Sequence, residues 1–409
     1  MNKYLQYTLI VVFLLPISVL VGNVGVSANY TFLLLLLFAR PVEYDKWPYL
    51  IKGMVVYSVV CYLLVAFFLN DVDSDFYARQ LISFLIFLGA LMIAVVRMPF
   101  NFHVLAHATV GISFAYAIIV IFALIASGTP ISNAGMVKAA LAVWIPDWPQ
   151  RYIVVVILGF FLALSLSFKS KLWIFATGLC GFCIAFSFVR AAWLSMLIAI
   201  ALLFLLYYFR HDWASLKRLL YALIVTIVMV TLFLLFQNGG PDLAASELKR
   251  IHVTQAFISE IPITHDLKPT LKGATQDIDD IYAHGGEASG LIRIHIWNSL
   301  VNTMIEKHMW LGSGFLGPYF FDKAIGSAHS QYIDIFFRTG PIGLCIYLAL
   351  WGWLVLRCFK HSAELGCGMV AWFIYGFFHE TTKYSYVAFL FSCFLSMAWT
   401  GWENGKANK

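Results

Sequence analysis

Residues 191–208 read AAWLSMLIAIALLFLLYY, an unbroken run without a charged side chain. About 18–20 consecutive apolar residues suffice to cross the hydrocarbon of a bilayer. Comparable runs recur along the chain. The expected spans are 5–21, 26–39, 51–69, 79–96, 104–126, 152–168, 172–188, 191–208, 218–237, 341–357, 366–379 and 385–402. Composition agrees. Of 409 residues 61% are hydrophobic and 12% charged, with a mean hydropathy of +0.83, whereas soluble domains carry about 25% charged residues. The expected fold class is an all-α polytopic membrane protein with about twelve transmembrane helices. No small-residue cleavage site follows the first apolar run, so it reads as a span and not as a signal peptide.

Lysine and arginine orient the chain. With the N-terminus inside, the inner connections carry Lys3, Arg40, Lys46, Lys52, Arg97, Lys169, Lys171, Arg210, Lys217, Arg218, Arg357, Lys360, Lys406 and Lys409. The short outer connections hold only Arg79, Lys138, Arg151, Arg190 and Lys383. This bias predicts an even number of spans and two cytoplasmic termini. It also explains the net charge of +6 without nucleic acid as a partner; the expected surroundings are membrane lipids.

One long polar stretch interrupts this pattern. The expected organisation is spans one to nine in 1–237, a large external or periplasmic loop in 238–340, and spans ten to twelve with a cytoplasmic tail in 341–409. The loop, expected to be partly helical, holds the densest set of groups capable of chemistry: Arg293, His295, Trp297, His329, Gln331, Asp334 and Arg338. Over 291–308, Arg293, Trp297, Leu300, Val301 and Met304 fall on one helical face. A second helix is predicted over 328–338, with His329, Ile333, Phe336 and Phe337 on one side. Between the two, residues 310–318 form a glycine-punctuated turn, and Gly340–Pro341 opens the tenth span. Segment 239–290 is polar and glycine-rich and is expected to be mobile. A second outer loop, 127–151, carries Trp144, Trp148 and three prolines, as at a headgroup boundary.

Several chemistries find little support. None of the seven cysteines lies in the loop, so a disulfide framework is not expected there. Cys180 and Cys183 sit inside an apolar run and read as small residues at a helix contact. Asp71, Asp73 and Asp75 lack the glycine and the later glutamate of a calcium loop. The D-x-D at 277–279 is too short a pattern to carry a metal site. No Walker loop, dinucleotide glycine motif, H-E-x-x-H or G-x-S-x-G is present. No cofactor and no metal are therefore expected.

The remaining groups have ordinary readings as well as functional ones. Arg190 begins a span at its outer edge, where an arginine can simply snorkel. Positive charge at a helix start, on the outer side, is however unfavourable unless an anion binds there. Arg293 could belong to a solvated face. His329 stands just before an apolar run at the return to the membrane and suits proton transfer near neutral pH. His379–Glu380 ends the eleventh span on the same side, where a carboxylate could orient a histidine, pair with an arginine or sit in water.

Four places in this order resemble the bacterial O-antigen ligase family, which also contains polysaccharide polymerases. They are the span start Arg190–Ala191–Ala192–Trp193–Leu194, the pair Arg293 and Trp297 running into Gly312–Ser313–Gly314–Phe315, the segment His329–Ser330–Gln331–Tyr332 followed by Gly340–Pro341–Ile342–Gly343, and Glu380. The chain departs from the family's usual pattern at Val189 and Ser330. The resemblance implies metal-independent, inverting glycosyl transfer from an undecaprenyl-diphosphate-linked glycan to a sugar hydroxyl of the lipid A core. Arg190 and Arg293 would clamp the diphosphate and His329 would be the base, with Glu380, Trp297 and Arg338 in support. It implies a bacterial inner membrane location with the site facing the periplasm. Polymerisation of a surface polysaccharide from the same donor is the nearest alternative, and a protein-O-oligosaccharyltransferase is a third relative. A flippase or transporter for lipid-linked sugars belongs to another class; such proteins place ionisable residues near the membrane midplane, and here the span cores are nearly free of charge.

Overall fold

The computed structural model describes residues 3–14, 18–21, 24–27, 33, 46–68, 74–95, 101–127, 152–236, 289–318, 327–381 and 385–400. Most of these are helical. In chain order the helices are α1 (Lys3–Leu14), α2 (Tyr49–Phe68), α3 (Ser74–Ala94), α4 (Phe102–Ser127), α5 (Ile153–Leu166), α6 (Leu172–Ala185), α7 (Arg190–Phe209), α8 (Trp213–Phe236), α9 (Ser289–Glu306), α10 (Gln331–His361), α11 (Ala363–Tyr375) and α12 (Ser385–Thr400). Four of them, α4, α7, α8 and α10, are long and apolar enough to cross a membrane; seven others are shorter apolar helices. The fold is that of a helical membrane protein.

One expectation fails. Residues 18–21, assigned to the first span, are a β-strand, Ser18–Val21 (β1), paired antiparallel with Val24–Ser27 (β2). Helix α1 stops at Leu14. Pro16 cannot continue a helix without breaking its hydrogen bonds. The valines beyond it are at least as content in a strand. Apart from residue 33, the rest of the second expected span, segment 239–288, loop 128–151, both D-x-D aspartates and Asp71–Asp73 lie outside the described residues.

Helix α5 organises the bundle. It is apolar on every side and buried almost throughout, as a helix without a polar face must be. Helices α4, α6 and α11 pack around it. Small and hydroxyl side chains let the backbones approach. Ser113 Oγ on α4 donates to the Val155 carbonyl at 3.1 Å, opposite Gly159. Gly178 and Gly181 on α6 face Val225 and Thr226 on α8. Cys180 and Cys183 are both buried in this neighbourhood.

Cross-contacts give each helix a direction. Tyr207 Oη near the end of α7 donates to Glu364 Oε1 near the start of α11, at 2.6 Å. The two helices are packed together and run antiparallel. At about 1.5 Å per residue, Arg190 and Tyr375 then lie about 25 and 17 Å away from that bond, toward one common end. Gln80 on α3 donates to the Gly314 carbonyl at 2.6 Å, and Tyr57 on α2 to the Thr339 carbonyl at 2.9 Å. Tyr152 Oη, preceding α5, reaches the Leu14 carbonyl at 2.7 Å and packs on Tyr386 of α12 at 5.0 Å. The starts of α3, α5, α7, α10 and α12 therefore share one end of the bundle. The connections α5–α6, α7–α8 and α10–α11, with Lys169, Lys171, Arg210, Lys217 and Lys360 in them or in the adjoining helix ends, share the other. Lys3 of α1 and Thr400 of α12 also lie at this basic end.

Candidate functional site

The non-basic end collects the groups singled out above. Arg190 is the first residue of α7 and is exposed. The connection from α6 is short: Phe188 takes a left-handed backbone (φ 53) and Val189 is extended. Trp193 Nε1 (3.0 Å) and Ser187 Oγ (2.7 Å) both donate to the Ile184 carbonyl near the end of α6. They satisfy a backbone acceptor that a helix end leaves open. The tryptophan of the Arg-Ala-x-Trp stretch is thus a fastener, and it sets where Arg190 begins its helix.

Helix α9 forms where the apolar stripe predicted one. Ile296, Leu300 and Met304 are buried against Ala328 and Phe337, with Trp297, Ile333 and Phe336 at the margin. Trp297 Nε1 donates to the Ala328 carbonyl at 2.8 Å. Arg293 lies one turn earlier on the same stripe and is half-buried. Desolvation pulls its pKa down, and the neighbouring Tyr375 partly offsets this. The cation therefore sits where it is poorly hydrated and close to the end of α11.

His329 is not on a helical face, contrary to the reading of 328–338 as one helix. Helix α10 begins at Gln331, after Ser330 in extended conformation. His329 has φ 52 and is exposed between two buried neighbours, Ala328 and Ser330. The segment is pinned to the end of α11. Gln331 N–H donates to the Gly376 carbonyl at 2.8 Å, and Tyr332 Oη donates to the Phe373 carbonyl at 2.6 Å. Glu380, only 4% exposed, accepts the Ala328 N–H at 2.6 Å. Arg293, Trp297, His329 and Glu380 are thereby brought into one neighbourhood. Arg190 shares their end of the bundle through the antiparallel α7–α11 pair.

Arg338 has a different setting. It is buried, its Nε bonds Asp334 Oδ2 at 2.8 Å and its Nη1 bonds the Phe315 carbonyl at 3.0 Å. Ser313 N–H meanwhile donates to the Phe337 carbonyl at 2.7 Å. Arg338 and Asp334 thus lock the 310–316 turn onto α10. Gly340 has φ 69 and interrupts the α10 backbone before Pro341. A Cβ there would strike the Trp310 carbonyl. Only glycine tolerates both constraints.

Sequence reasoning did not place Tyr375 beside Arg293, nor pair Tyr375 with His379. They are four residues apart, and their rings stack at 4.6 Å and 20°. That spacing, just ahead of Glu380, was the available signal.

A family model described as O-antigen ligase matches residues 174–348. This stretch is an O-antigen ligase family domain. No curated protein matches the chain. The O-antigen ligase domain runs from α6 into α10 and includes Arg190, Arg293, Trp297, His329 and Arg338; Glu380 lies beyond it. A domain of this family implies a glycosyltransferase-like enzyme of the O-antigen ligase and polymerase type.

Proposed function

We propose that this protein is an O-antigen ligase, which moves a glycan from undecaprenyl diphosphate to a sugar hydroxyl of the lipid A core. It works in the bacterial inner membrane, with both termini in the cytoplasm and the site in the periplasm. The acceptor oxygen attacks the anomeric carbon from the side opposite the diphosphate. The new C–O bond forms as the old one breaks, so the configuration inverts. His329 takes the proton from the acceptor hydroxyl. Undecaprenyl diphosphate leaves with its added negative charge facing Arg190 and Arg293.

The observation carrying this reading is the setting of the two arginines and the histidine. Arg293 and His329 come together through Trp297 and Ala328, and Arg190 heads a helix at the same end. Guanidinium forks match phosphate oxygens in pairs. Fixed donors aimed at a leaving group stabilise charge as it develops. The start of α7 adds the positive end of a helix dipole to Arg190. Glu380, Trp297 and Arg338 support the site by holding backbone. Buried charges such as Glu364, Asp334, Arg338 and Glu380 cluster toward the two ends, which favours an interfacial enzyme over a transporter. The basic residues at the far end fit a cytoplasmic face.

The test is glycan transfer by purified protein in the presence of a chelator. The expected result is undiminished transfer with inverted product, and a loss of about 10²- to 10⁴-fold in His329→Ala. Protonation removes the lone pair of the base, so the wild-type rate should fall at acid pH. Full activity in His329→Ala would remove the base assignment. Gene loss separates ligase from polymerase: bare core with long lipid-linked polymer marks the ligase, and core bearing a single repeat marks the polymerase.

A further inference from the structure

We propose that Glu380 and Trp297 act on the reaction through the backbone of Ala328, as positioning residues that hold His329 in its left-handed conformation. The inference rests on His329 being the base of the reading above. Ala328 is fully buried, and both of its backbone polar groups are taken by side chains. Glu380 Oε1 receives its N–H at 2.6 Å and Trp297 Nε1 donates to its carbonyl at 2.8 Å. The peptide joining Ala328 to His329 is held at its other edge too, because the His329 N–H donates to Ser327 Oγ at 3.2 Å. Two residues on, the Gln331 N–H is fixed to Gly376 at 2.8 Å.

With the chain anchored on both sides, the rotation at His329 has little freedom, and it stands at φ 52. A residue with a Cβ is disfavoured there and stays only where its surroundings over-determine it. The outcome is an exposed imidazole between two buried residues. The contacts come from three separate parts of the chain. Trp297 belongs to the helix that carries Arg293, so the same rod places the cation and the base. Glu380 reaches back from beyond α11. The contact that matters for Ala328 is the one in which Glu380 accepts its N–H, and that role needs an oxygen acceptor rather than a charge. An uncharged carbonyl oxygen can do the same.

That point yields the test. Full-length protein, purified in its wild-type and variant forms, is assayed with undecaprenyl-diphosphate-linked glycan and lipid A-core from the producing cells. Glu380→Ala should lower kcat by about 10²-fold, the scale of a displaced catalytic group, with the donor KM unchanged. Glu380→Gln should recover most of that loss and keep the wild-type pH profile. Trp297→Phe keeps the ring but loses the donor, and should lower kcat with the donor KM unchanged. Should Glu380→Ala fail to accumulate in the membrane, Glu380→Gln and Trp297→Phe carry the test. Glu380→Gln as impaired as Glu380→Ala, a shifted acid limb in Glu380→Gln, or an unchanged kcat in Trp297→Phe would overturn the inference. His329→Ala keeps the two claims apart. Full activity there removes the base. Inactivity there, with a failed Gln rescue at Glu380, removes only the backbone clamp.

Discussion

Arg338 and Asp334 illustrate how a charge close to the candidate site can serve the fold. Their side chains are 7% exposed each and bond at 2.8 Å. Removing one partner of a buried ion pair leaves the other charge without compensation, at a cost of about 3–5 kcal/mol; replacing both by apolar groups is often neutral. Arg338→Met should therefore lower the thermal unfolding midpoint of the detergent-solubilised protein sharply. The double variant Asp334→Leu with Arg338→Met should recover most of the loss. A midpoint unchanged in Arg338→Met would show that the pair does not hold the 310–316 turn. Arg190 and Arg293 differ from Arg338 in exposure. One is exposed and the other half-buried. In the sequence, the family resemblance assigned Arg190 and Arg293 to the diphosphate and gave Arg338 only a supporting place. What separates them is burial and a carboxylate four residues away, and the second of these was readable as an i, i+4 pair.

At the scale of elements, long apolar runs translated directly into helices. Spans expected at 51–69, 104–126, 172–188 and 191–208 correspond to α2, α4, α6 and α7. Helix α9 was legible too, because its buried face repeats every three to four residues. Hydropathy failed where a strand and a helix look alike. Val19, Val21, Val24 and Val26 are as apolar as any span, and the signs of a break were Pro16 and Gly22–Asn23, a hairpin-turn pair between the valines. It also failed at His329, whose backbone is set by Trp297 and Glu380, more than thirty positions away on one side and fifty on the other. No local pattern encodes such a constraint. The Gly340–Pro341 punctuation was readable as a boundary. Its role as a kink inside one long helix was not, since that depends on Trp310 lying against it. Gly340→Ala should be destabilising by more than the ordinary glycine-to-alanine difference, because φ is positive and the Cβ meets backbone. A drop in the unfolding midpoint of the purified protein checks this; an unchanged midpoint would mean that the kink can relax.

At the scale of the whole molecule, two ends with different chemistry define the protein. One gathers lysines and arginines in short turns and the adjoining helix ends, and the other gathers Arg190, Arg293, His329 and Glu380 around the ends of α6 and α11 and the start of α9. The alternation of charge along the sequence had already separated these groups. Their actual convergence depends on the antiparallel packing of α7 with α11 and on α9 lying against α10. In the proposed reaction donor and acceptor are both lipid-linked and travel in the bilayer, so a site at the membrane surface would meet each without either leaving it. The most direct measurement is a structure of the protein with undecaprenyl diphosphate bound. The account predicts the diphosphate within hydrogen-bonding reach of both Arg190 and Arg293, with the His329 imidazole facing the same space. Diphosphate bound at the lysine-rich end, or touching neither arginine, would contradict it.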